Sequence, residues 1–129
     1  MSRWKKQTVN HDTENGQYGN CMQACIASLL NLPMEQVPHF HEDGCDAPTF
    51  WERVETFVES RGFVLMYGHA YDCMVIHSGP TSRGTKHCVI GLGDRTLHDP
   101  HESNAGLKEI THTFYLVPVD PGIVNASFA

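Results

Sequence analysis

What this chain lacks narrows it first. Its 129 residues contain no apolar run near the roughly 18 needed to cross a bilayer. No apolar segment follows the basic opening "MSRWKKQTVNHD", so a secretory signal is not expected and the location read from the sequence is cytoplasmic. Positive charge is scarce: nine Lys and Arg stand against fifteen Asp and Glu, for a net charge of −6. The small basic groups Arg3/Lys5/Lys6 and Arg83/Lys86 give too little surface to displace counterions from nucleic acid, so neither nucleic acid nor membrane is expected as a partner. Phosphate-loop and dinucleotide fingerprints are missing as well, since "GLGDRT" has no third glycine. Repeats and low-complexity tracts are absent, and no cofactor is expected.

Five cysteines is an odd number, and a disulfide framework does not suit a chain read as unsecreted. The thiols are then core filler, metal ligands or nucleophiles. Nine histidines raise the metal question, through His39, His41 and Cys45 in "HFHEDGC", through Cys73 and His77, and through His98 and His101. None shows the tight paired spacing of a zinc site, so no metal ligand is assigned and these histidines read as polar surface or sheet-edge residues.

Periodicity and punctuation give one domain over 1–129, with an N-terminal arm (1–16) and an irregular tail (120–129). A short strand near Gln7–Val9 is the one element expected within the arm. A helix follows Asn20, a good N-cap residue, and Pro33 stops it; small and apolar residues cover most of its circumference, so it should be buried. "PMEQVPHF" reads as a short helical turn and "HEDGCDAP" as loop. Residues 48–61 carry an amphipathic stripe of Phe50, Trp51, Val54, Phe57 and Val58, which is core by default, and Gly62 suits the C′ position. The pattern then turns strand-like over 63–68, 73–79, 87–93, 95–100 and 112–119, with loops at 79–85 and 99–107. Helices first and an antiparallel sheet after them predict an α+β fold. Arg83, in the loop 79–85 that would shape substrate access, reads first as a solvated arginine and second as a partner for an acidic group.

The candidate chemistry begins at "GNCMQACIASLL". Cys21 falls in the first turn of the helix, where unpaired N–H groups and the helix dipole favour a thiolate. Cys25, one turn further in, reads as a small core residue. Downstream, "KHCVIGLGDRTLHDP" begins a strand with His87 and ends its partner with Asp99, the imidazole and carboxylate that a thiol nucleophile needs. The two share a face only if the hairpin contains a bulge or an odd-length loop; a plain two-residue Gly93-Asp94 turn would pair Asp99 with Cys88. Gln17, four residues before Cys21, is the candidate donor to an oxyanion, together with the Cys21 backbone N–H.

"QYGNCMQACIASLL" followed by "HCVIGLG…HDP" resembles the papain-like cysteine peptidases, closest in style to the C39 and C39-like peptidases. The resemblance covers roughly residues 17–31 and 86–100. It implies a papain-like α+β domain in which Cys21 is the nucleophile, His87 the general base and acid, Asp99 the orienting residue and Gln17 the oxyanion donor. It also implies a hydrolase acting on a peptide, isopeptide or small amide through a thioester. The short His–Asp interval and Met22, where the family usually has Gly, favour a rival: the same fold as a catalytically silent binding module. A zinc-binding interaction protein is the third class. The sequence does not set the oligomeric state.

Overall fold

A computed structural model describes residues 3–120 except 69 and 71. Most of the expected 120–129 tail therefore lies outside the described residues. The fold is α+β: helices α1 (Cys21–Leu30) and α2 (Ala47–Ser60) precede strands β1 (Phe63–Tyr67), β2 (Met74–Pro80), β3 (Lys86–Leu92), β4 (Arg95–His98) and β5 (His112–Pro118). All pairings are antiparallel, in the order β1-β5-β2-β3-β4, so the last strand is inserted between the first two. Single 3-10 turns at Thr13–Asn15 and Met34–Gln36 interrupt the loops.

Both helices end as their sequences dictate. Asn31 leaves α1 in the left-handed conformation at φ 55°, and Gly62 does the same beyond α2 at φ 88°. Asp46 caps α2 by accepting a hydrogen bond from the Thr49 N–H at 2.9 Å. The two helices share one core with one face of the sheet: Cys25, Ile26, Val54, Val58, Ile76, Ile90 and Phe114 are buried in it together. Each such Val, Ile or Phe contributes about 1.5–3 kcal/mol by leaving water. The other face also buries Val75, His77, Val89 and Thr113. A Cβ at Gly79 would strike the Glu109 carbonyl, so the loop after Gly106 crosses that face within backbone contact. Burial on both faces is why β2 and β3 read as near-continuous apolar runs.

The N-terminal arm contains no strand at Gln7–Val9. It is tied down point by point instead. Arg3 donates to the carbonyls of Ser28 and Leu29 at the C-terminal end of α1, and the Lys5 N–H donates to Ser28 Oγ at 2.8 Å. Trp4 stacks on His98 at 5.3 Å, His98 Nε2 donates to the Lys5 carbonyl at 2.6 Å, and the Gln7 N–H donates to the Pro100 carbonyl at 2.9 Å. The arm thus runs from the C-terminal end of α1 to the end of β4, and the second of these leads into the site.

Candidate active site

Three segments meet at one cavity of about 860 Å³: the start of α1, the start of β3, and the loop after β4. Cys21 is half-buried at the first position of α1. Asn20 holds the N-cap position, but its side chain makes no capping bond. Its Oδ1 accepts from the N–H groups of Thr8 and Val9, both at 2.9 Å, and its Nδ2 donates to Thr8 Oγ1 and Gln23 Oε1. Asn20 is 3% exposed, so these four bonds form away from water. The side chain that precedes Cys21 therefore fastens the arm, and no first-turn N–H of α1 donates to it.

His87 and Asp99 come together as the sequence requires. His87 Nε2 donates to Asp99 Oδ1 at 2.6 Å, with the two residues 5% and 4% exposed. The bulge anticipated as a condition is present. Leu92 pairs with Arg95 and Gly91 with Thr96 across a two-residue Gly93-Asp94 turn, and the register then shifts so that Ile90 meets His98. Leu97 is the extra residue, and the shift returns Asp99 to the face of His87. Gly93 at φ 62° suits the first central position of a type II′ turn. His77 pins that turn by donating from Nε2 to the Gly93 carbonyl at 2.8 Å, and it fills the space a Cβ on Gly91 would need.

Asp99 is held in turn by the N–H groups of His101 and Gly106, each at 2.8 Å. Burial opposes its charge, but these bonds and His87 hold its carboxyl well below the usual range. Burial likewise opposes charge on His87, yet the Asp99 carboxylate and the Cys21 thiol lift it to about 9. With the Nε2 proton committed to Asp99, Nδ1 is the nitrogen left to exchange a proton with sulfur.

Helix position predicts a depressed thiol at Cys21, and here the structure differs. The Cys88 thiol, burial and the Cys88 charge push the Cys21 thiol up, against the pull of His87. The helix start is real, but a second thiol on the adjoining strand outweighs it. Cys25 is a core residue as expected: it is fully buried, with its Sγ 3.6 Å from Cys88 Sγ.

Gln17 is not brought to this site. It is exposed, pairs with Asp12 through both backbone groups, and donates from Nε2 to the Asn10 carbonyl at 2.8 Å. Its job is to close the 12–17 turn. The glutamine on the cavity wall beside Cys21 and His87 is Gln7. Its Nε2 donates to the Val9 carbonyl at 3.0 Å and to Asn10 Oδ1 at 3.3 Å, and its buried Oε1 has no partner among the described residues. The Asn20–arm contacts and the Gln7 N–H bond to the Pro100 carbonyl place Gln7 here, and no spacing rule connects it to Cys21.

Three other histidines are engaged in bonds away from the His87–Asp99 pair. His39 bonds the Tyr18 carbonyl and His41 the Cys45 carbonyl. His77 bridges Thr113 Oγ1 and the Gly93 carbonyl. Among the described residues, no three His, Cys, Asp or Glu side chains converge as metal ligands. Nor is any helix among them long and apolar enough to cross a membrane. Compared with known proteins, the chain matches no family model, no curated protein and no solved structure.

Proposed function

We propose that this chain is a papain-like cysteine-dependent hydrolase that cleaves a peptide, isopeptide or small amide bond through a thioester. The observation that supports it most is the buried His87–Asp99 pair, with His87 interacting with Cys21 at the wall of a cavity a small substrate can fill. Loss of one proton from the Cys21–His87 pair yields the reactive state. Cys21 Sγ attacks the carbonyl carbon, and its electron pair forms the C–S bond as the carbonyl π pair moves to oxygen. The Cys21 N–H, at the uncapped start of α1, is one donor for that oxyanion. Gln7, in place of Gln17, is the side chain placed to be the second, by turning its amide from Asn10 Oδ1, its longer bond. Collapse breaks the C–N bond, and His87 gives its proton to the departing amine. Water, deprotonated by His87, then cleaves the thioester and returns the thiol. Asp99 is a positioning residue throughout: it fixes the His87 tautomer and stabilises the imidazolium.

The binding-module reading is favoured by the Cys88 thiol and burial, which push the Cys21 thiol up. One comparison separates the two. Turnover of a fluorogenic amide panel is expected to vanish in Cys21→Ala and persist in Cys25→Ala, with both variants folded. Equal turnover in the two variants removes Cys21 from the reaction, and no turnover in any form, wild type included, leaves the silent module.

A further inference from the structure

The chain carries a net charge of −6, yet one bank of the Cys21 cavity is cationic. Arg83 and Lys86 are exposed on the turn leading into β3, and neither has a carboxylate within ion-pair distance among the described residues. Arg83 is nonetheless fixed. Its Nη1 donates to Ser103 Oγ at 3.1 Å, Ser103 Oγ is 2.8 Å from His101 Nδ1, and the His101 ring stands edge-on to His87 at 6.0 Å. This chain of contacts ties a free guanidinium to the neighbourhood of the reacting pair. The same cavity has an apolar stretch of wall, where Phe50 and Trp51 are in edge-to-face contact at 5.0 Å. On the arm side the rim is acidic, through Asp12 and Glu14.

Resting on the hydrolase reading, we infer that the substrate carries a carboxylate, seated against Arg83, Lys86 and His101, and an apolar group on the Phe50–Trp51 bank. The acidic arm rim repels that carboxylate, so the substrate enters in one orientation. The protonation of His101 reports the same field: burial lowers its affinity for a proton, and the charges of Arg83 and His87 lower it further, against Asp99 and Glu102. A planar guanidinium with donors to spare is suited to a carboxylate, whether at a chain terminus or on a side chain.

Two pairs of alkylating probes, each differing by one charge, test this on the full chain. N-iodoacetyl-phenylalanine is set against its amide, and the α-amide of N-iodoacetyl-glutamate against that of N-iodoacetyl-glutamine. In each, Cys21 Sγ displaces iodide, and modification of Cys21 is followed by peptide mass spectrometry. The acid is expected to react about five times faster than its neutral mate in at least one pair, with the advantage shrinking as salt rises. Preference confined to the phenylalanine pair assigns a terminal carboxylate; preference confined to the glutamate pair assigns an acidic side chain. Arg83→Gln should reduce the ratio and Arg83→Glu should invert it. Equal rates within both pairs, or a ratio that Arg83→Glu leaves alone, overturn the inference while the hydrolase reading stands. Should Cys21 react with no probe faster than the exposed Cys73, the nucleophile reading falls and this one falls with it.

Discussion

The β3–β4 hairpin and the N-terminal arm each deliver residues to the same cavity by opposite means. The hairpin places His87 and Asp99 with regular backbone: a two-residue turn, a ladder, and one bulge that decides which face Asp99 occupies. The arm has no ladder. Single bonds hold it, those of Asn20 above all, and Gln7 reaches the cavity between the Asn20 grip on Thr8 and Val9 and its own N–H bond to the Pro100 carbonyl. Geometry carried by a ladder is distributed over many bonds and cooperative. Geometry carried by one buried asparagine is lost with a single substitution.

The largest effect should come from breaking the pair that the hairpin delivers. Asp99→Ala removes the carboxylate that the bulge at Leu97 carries to the face of His87. Turnover should fall about 10⁴-fold, as when an orienting carboxylate is removed from such a site, and the downfield His87 Nε2 proton should disappear from the NMR spectrum. A variant that keeps both would show that Asp99 does not orient His87.

Releasing the arm comes next. Asn20→Ala removes four hydrogen bonds and leaves two backbone N–H groups unpaired. It is expected to cost about 2–4 kcal/mol, a drop of roughly 10 °C in Tm, and to lower turnover together with stability. Calorimetry with parallel rate measurement checks it; an unchanged Tm would mean the arm is held without Asn20.

Between the two glutamines, Gln7→Ala should lower the maximal rate about a hundredfold while Gln17→Ala stays near wild type. The reverse order would return the oxyanion to Gln17 and require the 12–17 turn to rearrange.

The smallest effect is a shift in profile. Because His87 is lifted from 6.5 to about 9, its doubly protonated pairing with the Cys21 thiol persists through neutral pH. Alkylation of Cys21 should therefore climb as pH rises toward about 9, an apparent value that belongs to the pair. His87 also stabilises the fold in full below pH 6.5, and that contribution is lost as pH rises through about 9. Asp99→Asn removes the carboxylate that lifts His87, so the alkylation limb should move to lower pH. A limb unmoved by that substitution would assign the titration to another group.

Much of the fold was legible in the chain, and the reasons are local. All five strands follow from the pattern to within one or two residues, the larger gap being at the end of β4, where the pattern over 95–100 outlasts pairing that ends at His98. The α2 stripe and the Gly62 terminus follow from side-chain period and backbone freedom. The insertion of β5 between β1 and β2 was not legible, because a strand's own pattern reports which face is buried and not which neighbour it pairs with. Gln17 is near Cys21 in the chain, and nearness in the chain says little where an arm folds back on itself.

By itself the sequence determined the elements, the helix-start position of Cys21, and the candidacy of His87 and Asp99. Those depend on residue type and period, which neighbours in the chain express directly. Tertiary structure decided the rest: that a bulge at Leu97 brings Asp99 to His87, that Asn20 spends its amide on the arm instead of capping α1, that Gln7 and not Gln17 lines the cavity, and that Cys88 opposes the helix at Cys21. Each of these is a hydrogen bond, a register or a field between residues brought together from separate elements. Their energies exist only once α1, β3 and the arm are packed against one another.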